Sequence, residues 1–216
     1  MQRVVEPELM DEVAQVAAYA GADFAASDQA LVERLAQVAG ARSFARAVDL
    51  GCGPGNITLR LQARFPGLEL LGLDGAPRMI EAARARSGVG GPRFEVCAFP
   101  SPDAPRDCDL VVSNSLLHHL HDPSVLWDEV RRRAAPGAFV FVADLYRPET
   151  PQDALRMVEL YTVSEPEVLR TDFHNSLLAA FSDEELRAQL EAAGLGHFTV
   201  EYPDDRHVFI FGAIEG

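Results

Sequence analysis

Ala47-Val48-Asp49-Leu50-Gly51-Cys52-Gly53-Pro54-Gly55-Asn56 is the stretch on which the fold turns. Ala45–Leu50 is short and apolar, as a buried strand requires. Three glycines at alternate positions follow it, and then ITLRLQARF carries the apolar spacing of a helix. Glycines between a strand and a helix permit a tight turn and let backbone approach a ligand closely. The glycine pattern alone also fits nicotinamide and flavin sites, so the neighbouring acids carry the reading further. Asp49 lies two positions before Gly51, where a carboxylate can hold backbone amides or a ligand ammonium group, or brace the loop. Asp74 closes the next apolar run, Leu68–Leu73. There it can accept both hydroxyls of a ribose or cap the following helix.

Outward from this stretch, strands and helices alternate. Residues 8–20 and 27–39 read as helices, the second capped by Ser27 or Asp28 and stopped by Gly40; the loop between them carries Tyr19 and Phe24. A helix is expected from Pro77 to Arg86, strands at Phe94–Cys97 and Leu110–Ser113, a helix at Pro123–Ala134 terminated by Pro136-Gly137, and a strand at Ala138–Ala143. This alternation predicts right-handed crossovers and a mostly parallel sheet covered on both faces. The pattern changes after Asp144. Residues 151–181 read as mainly helical, with breaks at Pro151 and Pro166. Ser182–Ala193 has the signature of a capping box, with Ser182 and Glu185, and Gly194 ends it. FTVEY and HVFIFGAI, separated by PDDR, form an antiparallel hairpin. The expectation is one domain over residues 1–216, with 1–39 as a helical cap and 146–181 as a helical cover.

Composition narrows the function classes. The 216 residues include 48% hydrophobic ones, enough for a sizeable core, and the formal net charge is −14. Every basic residue is Arg, which excludes Schiff-base and lysine-nucleophile chemistry. Residues 1–143 hold 18 acids against 14 Arg, net −4, and residues 144–216 hold 15 against 5, net −10. Such a surface repels a phosphate backbone, so nucleic acid is not an expected partner. The dense basic run Arg131-Arg132-Arg133 reads as the solvated end of a helix. No apolar stretch approaches the ~18 residues of a spanning helix, and no basic-then-apolar leader opens the sequence, so a cytoplasmic location without a membrane partner is expected. Cys52, Cys97 and Cys108 have neither paired metal spacing nor an even count for a disulfide framework. Cys52 reads as a small semi-buried filler.

AVDLGCGPGNITLRL resembles the signature loop of class I S-adenosylmethionine-dependent methyltransferases, LLGLDGAPRMIEAAR their ribose segment, CDLVVSNSLLHHLHDP their fourth-strand motif, and RRRAAPGAFVFVADL the turn and fifth strand. The resemblance covers about residues 40–145 and the terminal hairpin. It implies an α/β Rossmann-like fold with a seven-stranded sheet ordered 3-2-1-4-5-7-6, strand seven antiparallel, and methyl transfer from S-adenosylmethionine. It also implies a donor site made of Asp49, Gly51, Gly53, Gly55 and Asn56. Asp74 and Gly75 would lie at the ribose, Met79 beside the adenine, and Asn114 toward the methionine part. The stretch FEVCAFPS departs from the family, with Ala98 where an acid often meets the adenine amino group; the Ala98 backbone and Phe99 then frame the ring.

Residues for the acceptor come from elsewhere. His118, His119 and His121 crowd one loop followed by Asp122, but their spacing matches no zinc signature, and no metal is expected. His119, at the mouth of the site, is a candidate base or substrate contact. The connection after strand five is far longer than the usual ~2–6 residues and is placed to roof the crevice. Within it Tyr161 and Asp172 are catalytic candidates. Arg147 and Arg170 could receive an acceptor carboxylate, while Asp172 and Asn175 also suit helix capping and Tyr161 and Phe173 core packing. Tyr19 and Phe24 could close over the donor as a lid. The function expected is methylation of a small acceptor at N, O or S. The rivals are a nicotinamide oxidoreductase and a cofactor-binding scaffold, and the apolar residues of 146–181 could alternatively build a homodimer contact.

Overall fold

The computed structural model describes residues 1–22, 24–101 and 106–215. Asp23, in the loop expected between the first two helices, lies outside the described residues. Seven strands form one sheet in the order β3-β2-β1-β4-β5-β7-β6. They are β1 Arg46–Leu50, β2 Glu69–Asp74, β3 Arg93–Val96, β4 Cys108–Asn114, β5 Ala134–Leu145, β6 Thr199–Glu201 and β7 His207–Ala213. The pairs β1–β2, β1–β4, β2–β3 and β4–β5 are parallel, while β7 runs antiparallel to β5 and β6. A reversed strand at this place separates the sheet from the all-parallel 3-2-1-4-5-6 arrangement of dinucleotide folds.

Helices cover both faces because both faces of a parallel sheet are apolar. On one face α2 (Ala25–Ala39) and α3 (Asn56–Arg64) send Leu31, Val32, Leu35, Ile57 and Leu61 against Leu110, Val112, Phe139 and Phe141. On the other, α5 (Ser124–Arg133) and α8 (Asp183–Ala192) bury Leu126, Trp127, Val130, Leu186 and Leu190 on Val111, Val140 and Val142. α4 (Pro77–Arg86) packs Ile80 and Ala83 on Phe94 and Cys52. No helix of the described residues is long and apolar enough to cross a membrane.

Several expectations are corrected. α1 spans Val13–Gly21, not 8–20. Residues 1–12 are instead a non-helical strap, since Glu8 and Asp11 hold the backbone N–H groups of His121 and Arg78 through their carboxylates. The region 1–39 is therefore strap plus two helices. α2 starts at Ala25 without a side-chain cap: the Ser27 hydroxyl donates to the Phe24 carbonyl, and Asp28 faces Arg60 at 3.5 Å. α5 ends at Arg133, ahead of Pro136-Gly137, which lie where the β4–β5 register shifts. Arg133 is fully buried against Glu129, one turn back on the same helix, so the arginine run is not wholly solvated. The Ser182–Glu185 capping box is present. Beyond β5, α6 (Pro151–Tyr161) and α7 (Glu167–Ala179) make the expected helical segment. Asp172 and Asn175 stand inside α7, not at a cap.

Candidate functional site

The turn after β1 is built as its glycines require. Gly51, Gly53 and Gly55 all have positive φ. A Cβ on Gly51 would lie 2.8 Å from Leu116, and one on Gly55 2.9 Å from Phe94, whereas Gly53 faces open space. The N–H groups of Gly51 and Cys52 both donate to the Leu73 carbonyl, locking the turn to β2. Asp74 ends β2 and braces the turn: one carboxylate oxygen accepts from Gly53 N–H and the other from Ala76 N–H, each at 2.8 Å. Burial raises the Asp74 pKa, and the two N–H bonds oppose that rise.

Asp49 is more enclosed. Its Oδ2 accepts from the Thr58 hydroxyl at 2.6 Å, while Oδ1 is buried with no hydrogen-bond partner among the described residues. Burial pushes its pKa to about 7, with Thr58 opposing and Asp74 adding to the rise. Cys52 is buried in the core, and burial pushes its thiol well above the ordinary range, so it is no nucleophilic thiolate.

The remaining donor candidates sit around this turn. Asn56 opens α3 and accepts from Arg86, which also donates to the Pro54 carbonyl. Gly75 follows Asp74 and lies beneath Leu9 of the strap: a Cβ there would come within 2.7 Å of it. Met79 is 4% exposed, on the inner face of α4. Ala98 is exposed and Phe99 half-buried beyond β3, and Asn114 is half-buried at the end of β4. Tyr19, half-buried on α1, is tilted against Phe24 with ring centres 6.0 Å apart.

A second polar group gathers at the ends of β4 and β5. His118 Nδ1 meets Asp144 Oδ1 at 2.5 Å, and Asp144 is itself fixed by the N–H groups of Leu117 and Leu145. Burial opposes a charge on His118, yet Asp144 and Glu6 outweigh it and raise its pKa. His119 goes the other way: burial, then His118, lowers its pKa to about 3, so its ring is neutral. Glu6 reaches both rings, 3.5 Å from His118 Nε2 and 3.4 Å from His119 Nδ1, and also receives the Ser176 hydroxyl of α7. Asp172 is buried and receives Gln15 of α1 at 3.1 and 3.2 Å; burial raises its pKa against that bond.

The strap ties these parts together. Arg3 donates to the carbonyls of Ala179, His118 and Leu120 and stacks over Phe181, 3.9 Å from its ring centre. Asp11 holds both the backbone N–H and the guanidinium of Arg78 at the start of α4. Residues 3–11 thus run from the end of α7 across the histidine loop to α4. Sequence reasoning missed Arg3, Glu6, Leu9 and Asp11, because an extended segment has no periodicity to read, and Gln15 of α1, because its partner Asp172 is remote in sequence.

Other candidates are not brought here. The Tyr161 hydroxyl donates to Asp205 at 2.7 Å, and Arg206 lies over its ring at 3.5 Å, so it belongs to the β6–β7 turn. Arg147 is spent on the Ala180 carbonyl and Glu185. Arg170 reaches the Thr162 carbonyl and Glu167 within α7's own neighbourhood. His174 is half-buried and Asn175 exposed.

Residues 48–140 match the family model described as a methyltransferase domain. The chain is 43% identical over 101 residues to a trans-aconitate 2-methyltransferase of Methylobacterium radiotolerans, covering 44% of this chain and 36% of that one. It is 40% identical over 98 residues to the same-named protein of Streptomyces coelicolor, covering 43% and 32%. It thus spans about a third of the length of these relatives. Among solved structures, the plantazolicin methyltransferase BpumL in complex with a triazolic desmethylPZN analog and SAH aligns with TM-score 0.72, 11% identity and coverage of 94% and 91%. Human N-acetylserotonin methyltransferase in complex with SAM aligns with TM-score 0.62, 18% identity and coverage of 88% and 52%.

Proposed function

We propose that this chain, a methyltransferase domain of the class I fold, transfers a methyl group from S-adenosylmethionine to N, O or S of a small acceptor. One observation carries the reading: the three positive-φ glycines follow directly on Asp49, whose buried Oδ1 has no hydrogen-bond partner among the described residues, and Asp74 braces their turn. A buried carboxylate oxygen without a partner costs free energy. A cationic ligand group in the crevice, directly or through water, removes that cost. The lone pairs left on Asp74 after its two N–H bonds can take a ribose diol, and Gly53 leaves room for close approach. The residues therefore fit the donor. When bound, S-adenosylmethionine supplies an electrophilic methyl group on a sulfonium.

The chain's own task is then to hold the acceptor in line, which supplies much of the rate in such a displacement. Glu6, Asp144 and Asp172 line the acceptor end, and the arginines that could neutralise a carboxylate there are spent elsewhere. This favours a neutral or cationic acceptor over a polycarboxylate. Asp172, held among the described residues by Gln15, is the group assigned to take a proton or pair with acceptor charge, and His119 is assigned to the same wall. Tyr161 is assigned to bracing the cover. The net charge of −14 supports a small molecule over nucleic acid.

Calorimetric titration with S-adenosylmethionine, S-adenosylhomocysteine and NAD tests the donor; binding of both adenosyl compounds and not NAD is expected, and the reverse overturns the reading. Donor binding without turnover on amines, alcohols or thiols would return the scaffold reading.

A further inference from the structure

We infer that Glu6, His118 and His119 form a binding site for one divalent transition-metal ion, with zinc the best match. Spacing within the histidine run cannot reveal such a site, because the third ligand comes from the strap.

Distance is the first argument. Glu6 Oε1 lies 3.5 Å from His118 Nε2 and 3.4 Å from His119 Nδ1, and ligand atoms from all three residues fall within 4.8 Å of one another. These separations exceed the ~2.7–3.2 Å of a good N–H···O hydrogen bond. They match the edge of a tetrahedron, about 3.3–3.4 Å, around an ion whose N and O ligands lie at ~2.0–2.1 Å. His119 Nδ1 also faces the Pro7 carbonyl at 3.4 Å and Glu6 Oε1 the Ser176 hydroxyl at 3.1 Å, so the ion would take the Nδ1 lone pair in the tautomer that carries its proton on Nε2.

Orientation is the second. A metal-bound histidine ordinarily gives its other ring N–H to a carboxylate, which fixes the tautomer. His118 Nδ1 is on Asp144 at 2.5 Å, and Asp144 is anchored by two backbone N–H groups, so Nε2 is left facing Glu6.

Charge is the third. Glu6, Asp144 and Asp172 are buried or nearly so around the cluster, and Arg3, the nearby cation, spends its guanidinium on three carbonyls and a ring. A dication balances buried carboxylates that would otherwise repel one another. Three protein ligands also leave one tetrahedral position for water or an acceptor atom, the arrangement of reactive zinc sites more than of structural ones. A bound ion would fasten the strap to the loop after β4.

Metal binding is read without turnover and does not depend on the methyltransferase reading. Protein stripped with a chelator is titrated with Zn²⁺ against a chromophoric competitor, and with Co²⁺ for the visible absorption of a tetrahedral ion. One ion per chain with Kd below about 1 µM is expected. Glu6→Gln and His119→Asn should each weaken it at least tenfold and remove the Co²⁺ band; Asp144→Asn should weaken it by about 10–100-fold. His197→Asn, whose ring meets the Ala213 carbonyl elsewhere, should leave it unchanged. Glu6→Gln lies on the strap outside the sheet, and circular dichroism checks its fold. Failure of wild-type protein to bind one ion at this affinity overturns the inference, as does unchanged affinity in folded Glu6→Gln. Titration of the same stripped protein with S-adenosylhomocysteine reports separately on the donor site.

Discussion

The site proposed for the donor takes its central parts from one run of chain, Asp49 to Asp74, in which a strand, a turn, a helix and a second strand follow directly. The cluster proposed to face the acceptor draws Glu6 and Gln15 from the amino end, His118 and His119 from the loop after β4, Asp144 from β5, and Asp172 and Ser176 from α7. The first is a local construction whose geometry is dictated by backbone: positive φ at three glycines and N–H groups aimed at one carboxylate. The second is a tertiary construction, held by side chains from segments that meet only after folding. A local construction should fail through strain and through its buried acids. A tertiary one should lose function while the fold and the donor site persist.

The largest effect is expected at Asp49. Its pKa is raised from an ordinary 3.8 to about 7, chiefly by burial. The folded state therefore binds its proton more tightly than the unfolded chain does. Stability from this group is full below about pH 4 and is lost as pH rises through about 7. Asp49→Asn, which cannot ionise, should leave stability near pH 4 little changed and raise it near pH 8, on the order of a few kcal/mol, while weakening donor binding. Urea unfolding of both proteins in the absence of ligand, at about pH 4.5 and about pH 8, checks this. A wild-type minus variant difference that does not change with pH would mean that Asp49 is ionised and satisfied in the folded protein.

Next is Asp74→Ala. It removes the acceptor of two backbone N–H bonds as well as the group assigned to the ribose. Donor affinity should fall by ~1–3 kcal/mol, about 5–150-fold. Calorimetry with S-adenosylhomocysteine measures it, with the unfolding midpoint confirming that the protein is folded. Unchanged affinity in a folded variant would move the donor away from this edge.

Asp172→Asn tests the other side. Donor affinity should stay within about threefold while transfer to an acceptor falls about tenfold or more, the signature of an interaction made only in the transition state. Equal losses in both would join the two halves into one unit and break the comparison.

The same contrast explains what could be read in advance. Each core strand has an apolar run, and the sheet order follows from the family resemblance, so both survive contact with the structure. The glycine turn and its two acids are legible because they are contiguous with a strand. The strap is not: Glu8 and Asp11 stand in the run that reads as a helix over 8–20, although their carboxylates serve distant N–H groups. Arg133 looks solvated beside Arg131 and Arg132, yet Glu129 lies one helical turn back on the buried face. Arg147 looks available after β5, but the α8 capping residue Glu185 claims it. In each case the deciding partner is remote in sequence or belongs to another element's own architecture.

The smallest effect is expected at Tyr161, and it separates the cover from the chemistry within it. Tyr161 ends α6, where an aromatic hydroxyl in a roof over the crevice is a natural catalytic candidate. Its contacts point elsewhere. The side chain is 38% exposed, the hydroxyl donates to Asp205, and the Arg206 guanidinium lies over the ring. Asp205 and Arg206 belong to the turn joining β6 to β7, whereas the cluster proposed to face the acceptor is reached from α6's neighbour α7 through Asp172 and Ser176. Tyr161→Phe keeps the ring and its stacking on Arg206 and removes one solvent-exposed hydrogen bond. Such a change is expected to alter stability by within about 0.5 kcal/mol. Because the hydroxyl is assigned no contact with donor or acceptor, donor affinity and transfer rate should both stay within about twofold of wild type. Parallel measurement of unfolding, donor binding and single-turnover transfer on Tyr161→Phe and Asp172→Asn makes the comparison internal. If Tyr161→Phe instead loses about tenfold in transfer with donor affinity intact, α6 turns inward during the reaction and the acceptor side extends to the hairpin turn.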